Sequence, residues 1–429
     1  MSWVDCCTSE IDDCSAAESA DCGSFAKASS CVTSFENEPS KPFAASWTSG
    51  FVTSSVAVLS LASNSLSFAT AVVGSLWIVD ICDWSSLDTD GAQGPRPAPR
   101  SVEGMHAITF DAPGDESVLT LSDLADPTPG RGEVLVEVAA AGVNNADLQQ
   151  RQGNYPPPPG ASEVLGLEVS GTVRALGPDV EGWSVGDRVC ALLAGGGYAS
   201  LAVVPASQLL PVPDGLDLVQ AAALPEAACT VYSNIGMIAG LRPGQTLLVH
   251  GGTGGMGSHA VLWAKALGAR VVATSGGDRK VAASRELGAD LVIDHRSEDF
   301  VARARDFTDG VGVDVVLDVV GPAYLQRNLE VLAPNGHLAV IAAGSGSEAT
   351  LPFGLMMQQR ATISGTTLRA RPLAEKAAIV AAVREHVWPF VEDGSVRPVV
   401  DAVLPLAQAG EAHRRIAGGE VIGKLLLTP

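Results

Sequence analysis

Between Leu247 and Val261 the chain reads LLVHGGTGGMGSHAV, an apolar run, then a glycine-rich turn, then an amphipathic run. The spacing Gly252-x-Gly254-x-x-Gly257 is a weak signal alone. It gains force where a strand feeds it and a helix leaves it, because glycines then allow a tight turn, close approach of a pyrophosphate, and packing of helix on strand. The unpaired N–H groups and positive dipole end of the new helix complete an anion cradle. The stretch therefore predicts dinucleotide binding, with a plain glycine-rich turn as the bland alternative.

The flanking sequence supplies that context. Downstream, TLLVHG, RVVATS, LVIDH, VDVVLDVV and HLAVIAA read as short buried strands, separated by the helical patterns MGSHAVLWAKALG, RKVAASRELG, SEDFVARARDFT and YLQRNLEVL. Such alternation requires right-handed βαβ crossovers and a doubly wound parallel sheet. Upstream, MHAITF, EVLVEVAAAGV, EVSGTVRAL, DRVCALL and YASLAVV are bounded by Gly, Pro and Asp turn signals and predict a β-rich region, followed by a helix over GLDLVQAAALPEAACTVYSNI. The end of the second strand of the parallel sheet selects the cofactor. NAD binders place a carboxylate about 20 residues after the glycine turn to hold the ribose 2′-hydroxyl; here the segment reads ATSGGDRK. Gly276 carries no carboxylate, and Arg279 and Lys280 suit a 2′-phosphate through charge-assisted hydrogen bonds. NADPH is the expected cofactor, with Asp278 counting against it and a solvated helix start as the alternative for the two cations.

Charge excludes some partners. The net −21 over 429 residues disfavours nucleic acid and anionic membrane surfaces. The first 104 residues hold six of the eight cysteines and four of the seven tryptophans, with 13 acids against Lys27, Lys41, Arg96 and Arg100, so that −9 falls there and −12 on the remainder. They are Ser-rich, lack periodicity, and end in GAQGPRPAPRSVEGM, which predicts a disordered extension or a non-native start with Met105 as the natural one. Polar interruptions in the run ending FATAVVGSLWIV argue against a membrane anchor, the acidic MSWVDCCTSEIDD against a secretory signal, and unpaired cysteine spacing against a zinc site.

From Met105 onward the motifs GEVLVEVAAAGVNNADLQQRQGNYPPPPG, LGLEVSGTV, VGDRV, QAAALPEA, HGGTGGMG and GKLLL stand in one order, and the chain resembles the medium-chain dehydrogenase/reductase family, in its zeta-crystallin-like quinone oxidoreductase group. The resemblance implies a GroES-like domain in two pieces, 105–227 and 366–429, around a Rossmann domain, 228–365, with the active site in the cleft between them. It also raises zinc. Zinc-dependent members of the superfamily carry ligands near AAGVNNAD, at the histidine of GHE and at a later cysteine; here those places hold no cysteine, Leu167 and the neighbourhood of Glu226. Cys190 and Cys229 are the only cysteines after Met105 and read as small core residues. A metal-free enzyme is expected.

By the same resemblance Asn144 points into the nicotinamide and substrate cleft, with helix capping as its alternative. Tyr155 lines the acceptor site, where its hydroxyl would support a developing oxyanion, with packing on the PPPPG turn as its alternative. Cofactor contacts are expected from Gly252, Gly254, Gly255, Met256 and Gly257 at the pyrophosphate, and from Gly276, Arg279, Lys280 and His295 at the 2′-phosphate. Ala343 and Gly344 after the HLAVIAA strand complete the set. Lys424 is expected near the cofactor mouth, or else in a structural ion pair. The reading that follows is an NADPH-dependent quinone oxidoreductase; reduction of 2-alkenals or enoyl thioesters and a non-catalytic, crystallin-like NADPH-binding role stay open beside it. A cytoplasmic homodimer is expected, paired through ATISGTTL as an edge strand.

Overall fold

The structure, a computed structural model, describes residues 104–429. The expectations for the N-terminal extension lie outside the described residues. Six strands, Thr246–His250, Arg270–Ser275, Leu291–Asp294, Val313–Asp318, Leu332–Val340 and Thr362–Gly365, form one all-parallel sheet. Numbered along the chain, they lie side by side as 3-2-1-4-5-6. The order reverses between Thr246–His250 and Val313–Asp318, and in such sheets a crevice opens at that point, outside the carboxyl ends of the strands.

Period-two alternation sorts the side chains of these strands onto two faces. Leu247, Val249, Val271, Ala273, Val315 and Leu317 enter one hydrophobic cluster, while Leu248, Val272, Ile293, Val316 and Leu338 enter another on the opposite face. Both faces are thus covered, and the strands read as continuous apolar runs for this reason. The helix Gly255–Leu267 leaves the first strand through the glycine turn and ends at Gly268, whose φ of 86° is the left-handed cap that a glycine adopts without strain.

The β-rich region folds as a second, largely antiparallel sheet from Glu133–Gly142, Glu168–Leu176, Arg188–Leu192 and Leu209–Pro211, with Leu201–Pro205 also paired to Glu133–Gly142. The last strand, Lys424–Thr428, returns to it, pairing Leu426 with Gly142 and Leu427 with Ala141. The domain is therefore discontinuous, as the resemblance implied. Met105–Thr109 pairs instead with Thr120–Leu124 in a separate two-stranded ribbon.

One expectation is corrected. The helix anticipated over GLDLVQAAALPEAACTVYSNI is three pieces: a 3-10 turn Gln220–Ala223, an α-helix Pro225–Val231 and a π-helical stretch Tyr232–Ile238. Pro225 has no N–H to continue a helix through itself but starts one well. The helices Leu373–His386 and Trp388–Glu392, within the expected second GroES-like piece, put Ile379, Val383 and Trp388 into a cluster that holds Leu247, Val249 and Trp263 of the parallel-sheet domain and Leu192, Leu210 and Val212 of the other. Apolar residues repeating at helical spacing bury against whichever face is open, and the chain rejoins the second sheet only at Val400–Pro405. Leu248 is fully buried on the opposite face; Leu248→Ala is expected to lower unfolding free energy by about 2–5 kcal/mol, read by urea denaturation.

Candidate active site

The glycine turn and the switch point of the parallel sheet meet in a cavity of about 310 Å3. Gly254, Gly255, Met256 and Gly257 line it at the helix start, with Gly251 and Val319 from the ends of the two strands that flank the reversal. A Cβ on Gly257 would collide with the Gly251 carbonyl oxygen, so only glycine allows this approach of helix to turn. Gly252 does not line the cavity: its missing Cβ lets the turn lie against Ala273, where an added Cβ would stand 2.7 Å from the alanine methyl. The glycines therefore divide between packing and ligand access, as the motif requires.

The far end of the cavity is lined by Ser275, Gly276, Lys280 and His295. An added Cβ on Gly276 would lie 2.8 Å from His295 Nε2 and 2.9 Å from Arg296 Nε, so the bare glycine leaves room for two nitrogen-bearing side chains. Lys280 donates to the Gly419 carbonyl at 2.6 Å, and burial pulls its pKa below the usual lysine value. Arg279 is not among the lining residues. Its guanidinium donates to the Glu420 carbonyl at 2.8 Å and pairs with Asp401 at 3.3 Å, outside the cavity, because the helix Asp278–Glu286 points consecutive side chains about 100° apart. Beside Gly276 stands Arg296 instead, a cation that the sequence reading missed. Arg296 makes no side-chain hydrogen bond or ion pair among the described residues, and its adjacency to His295 at a strand end was the available signal.

Ala343 and Gly344 also stand outside the cavity lining. They lie behind the turn after Val313–Asp318: a Cβ on Gly321 would be 2.9 Å from Ala343 Cα. That turn is held by Asp318, whose carboxylate accepts from Val320 and Gly321 N–H at 2.7 and 3.1 Å and from Asn328 Nδ2 at 3.1 Å. Asn328 Oδ1 in turn faces His250 Nε2 at 2.8 Å, and burial lowers the pKa of that imidazole to about 4, which keeps it neutral.

Where the two sheets meet, three polar side chains close on one another. Lys424 forms a buried ion pair with Glu168 and donates to Asn144 Oδ1 at 2.6 Å; Asn144 Nδ2 donates to Glu168 Oε1 at 2.9 Å; and Glu168 Oε2 accepts the Glu226 N–H at 2.9 Å. Glu168 is fully buried, Lys424 and Asn144 nearly so. Both readings of Lys424 are thus reconciled: it is an ion pair, and its stem packs over the glycine turn, where a Cβ on Gly255 would lie 2.5 Å from Lys424 Cδ. Asn144 does start the helix Asn145–Arg151, its N–H donating to Asp147 Oδ2 at 2.8 Å, but its amide is spent on Glu168 and Lys424.

These residues adjoin the places where zinc ligands were sought in the sequence: the AAGVNNAD segment, Leu167 and the neighbourhood of Glu226. Leu167 is a buried hydrocarbon without a donor, and the Asn144 amide is satisfied on both atoms, so the set does not fit a tetrahedral metal site. Among the described residues no group of three or more His, Cys, Asp or Glu is arranged to hold a metal.

Behind Asn144 runs a second buried chain. Tyr198 Oη donates to Asp147 Oδ2 at 3.0 Å and faces His413 Nε2 at 3.1 Å, and Arg151 Nη1 approaches His413 Nδ1 at 3.4 Å. Burial lowers the His413 pKa to about 3, so the ring is neutral, with Nε2–H donating to Tyr198 and Nδ1 accepting from Arg151. Burial raises Asp147 to about 6 against the hydrogen bonds that favour its charge. Tyr155 is half-buried, with the Arg369 guanidinium 5.4 Å above its ring. Arg369, also unanticipated, is buried and spends its donors on Ala194 O, Tyr155 O and Gln150 Oε1, tying the segment after the last parallel strand to the other domain.

Comparison with known proteins places this geometry. Residues 130–214 match the alcohol dehydrogenase GroES-like domain and residues 255–383 the zinc-binding dehydrogenase family model. The chain is 34% identical over 328 residues to a quinone oxidoreductase of Pseudomonas aeruginosa, covering 75% of this chain and 99% of that one. It is 32% identical over 313 residues to a 2-haloacrylate reductase of a Burkholderia species, covering 70% and 92%. Among solved structures, Escherichia coli quinone oxidoreductase complexed with NADPH is similar at 29% identity and a TM-score of 0.69, over 76% of this chain and all of that one.

The geometry makes two predictions. Gly257→Ala is expected to weaken dinucleotide binding by about tenfold or more, the equivalent of ~1.4 kcal/mol, in a fluorescence titration. Lys424→Met strands a buried carboxylate and is expected to cost about 3–5 kcal/mol of stability in urea denaturation, whereas Glu168→Leu with Lys424→Met costs less than the single change.

Proposed function

The chain belongs to the medium-chain dehydrogenase/reductase family, in its zeta-crystallin-like quinone oxidoreductase group, and from that premise we propose that it is a zinc-independent, NADPH-dependent quinone oxidoreductase. The observation that carries the reading is the junction of the glycine cradle with the Lys424–Glu168–Asn144 cluster, which adjoins the positions, Leu167 among them, where the zinc enzymes carry ligands. Gly254–Gly257 would hold the pyrophosphate of NADPH, and Lys280, His295 and the neighbouring Arg296 its 2′-phosphate. When bound, it supplies the hydride.

Reducing a quinone asks little more of the protein than placement. The resulting anion is conjugated, so no Lewis acid is needed to stabilise it. Asn144 and Tyr155 face the acceptor, Asn144 fixed by Lys424 and Glu168, and Tyr155 by Arg369. Burial raises the Tyr155 pKa above its ordinary value, which keeps the phenol a donor. Thr362–Gly365 ends the parallel sheet and offers the edge for a homodimer. The free buried thiols Cys190 and Cys229 accord with a reducing, cytoplasmic setting. The similarity to a 2-haloacrylate reductase favours one second reading, hydride delivery to an activated carbon–carbon double bond.

NADPH oxidation measured against a quinone panel beside crotonyl-CoA and 2-alkenals separates these readings. Turnover of quinones at the highest kcat/KM is expected; turnover of the alkenals or the thioester alone establishes the second reading, and no turnover with any leaves only the binding role. Arg296→Ala is expected to raise the Kd for NADPH by about tenfold or more, as loss of a charge-assisted hydrogen bond implies, and to leave NADH binding unchanged. Equal effects on both would remove Arg296 from the phosphate site.

A further inference from the structure

One carboxyl in the cleft has no cation of its own. Glu226 opens the helix Pro225–Val231; its Oε1 accepts the Thr230 hydroxyl at 3.3 Å, and its Oε2 has no donor among the described residues. Its backbone N–H is bound to Glu168, whose charge acts on the Glu226 carboxyl. Their surroundings divide them. Glu168 has the Lys424 ammonium, the Asn144 amide and no accessible surface, whereas Glu226 keeps 9% of its surface open. Of the two, only Glu226 retains any exposed surface.

The groups that act on Glu226 come from every side. Glu168 and Asp147 repel its charge from the second sheet and the helix Asn145–Arg151, while Lys424 attracts it from the last strand. It lies within electrostatic reach of Tyr155, Arg369 and Lys376, and of the buried thiol Cys229 on its own helix. Glu226 thus adjoins the cluster that holds Asn144 and acts on the charge environment of Tyr155. Burial, then Glu168, raises its pKa to about 8, so it is a neutral acid at pH 7.

We propose that Glu226 is the proton donor of the reaction, transferring its carboxyl proton to an oxygen of the reduced quinone-type acceptor. This rests on the quinone reductase reading. The acceptor gains two electrons and one proton as hydride, at the expense of the nicotinamide; the Glu226 O–H bond then breaks, an O–H bond of the hydroquinone forms, and the carboxylate left on Glu226 is reprotonated from water. Lys424, one residue removed through Glu168, limits the transient charge.

The test uses the whole enzyme and Glu226→Gln. In the wild type, kcat/KM for the quinone is expected to fall as pH rises through about 8, where the acid form is lost. In Glu226→Gln it is expected to be lower by about 100-fold and flat across that range, with the NADPH Kd unchanged as the control for folding. An independent readout is infrared spectroscopy of the protein without cofactor or acceptor: a protonated carboxyl band at pH 7, absent from Glu226→Gln. A wild-type rate and pH profile in Glu226→Gln, or no such band at pH 7, overturns the proposal while quinone turnover stands. No quinone turnover by the wild type overturns the functional reading and the proposal together.

Discussion

The arrangement depends on one buried ion pair. Lys424 begins the strand that brings the chain back to the second sheet, and Glu168 begins a strand of that sheet on the far side of Glu133–Gly142. Two charges taken out of water are tolerated only where geometry and further hydrogen bonds compensate both, and here Asn144 and the Glu226 N–H supply those bonds. The consequence is positional. Gly423 donates to Thr253 O at 2.7 Å and Lys424 packs on Gly255, so the ion pair fastens the second sheet to the turn that cradles the pyrophosphate. The hydride-donor side and the acceptor side of the cleft are fixed to each other by the same few atoms.

A zinc ion would hold three protein ligands and polarise the substrate oxygen. Here the lysine, the glutamate and the asparagine hold one another, and in the proposed reading the acceptor is left to a phenol and a neutral acid. Such a site is suited to acceptors that are electron-poor already, and poorly suited to drawing hydride from an unactivated alcohol.

The parallel sheet was legible because its strands are buried on both faces and carry unbroken apolar runs, and the glycine spacing fell where a strand gives way to a helix. The returning last strand was legible from GKLLL only through the family resemblance, since no local pattern says which sheet a short apolar strand joins. Phosphate-end cations were half legible. Lys280 follows from the segment itself, but whether Arg279 or Arg296 stands beside Gly276 depends on helix phase and on the packing of a neighbouring strand. Glu168 and Arg369 were missed for a related reason: their partners lie 256 and 219 positions away along the chain or more than a domain apart, and spacing within a motif carries no signal of such pairing. The three-part segment from Gln220 to Ile238 shows the same limit, a helical composition that Pro225 and tertiary packing divide.

We propose that hydride transfer proceeds here without a metal, the cleft being held together by the Lys424–Glu168 ion pair. Metal content and quinone-dependent NADPH oxidation measured together, on enzyme freed of zinc by chelation and then on the same sample with zinc restored, test it most directly. Full turnover with substoichiometric metal, unaltered by added zinc, is the predicted result. Activity that disappears on chelation and returns in proportion to bound zinc would contradict the account.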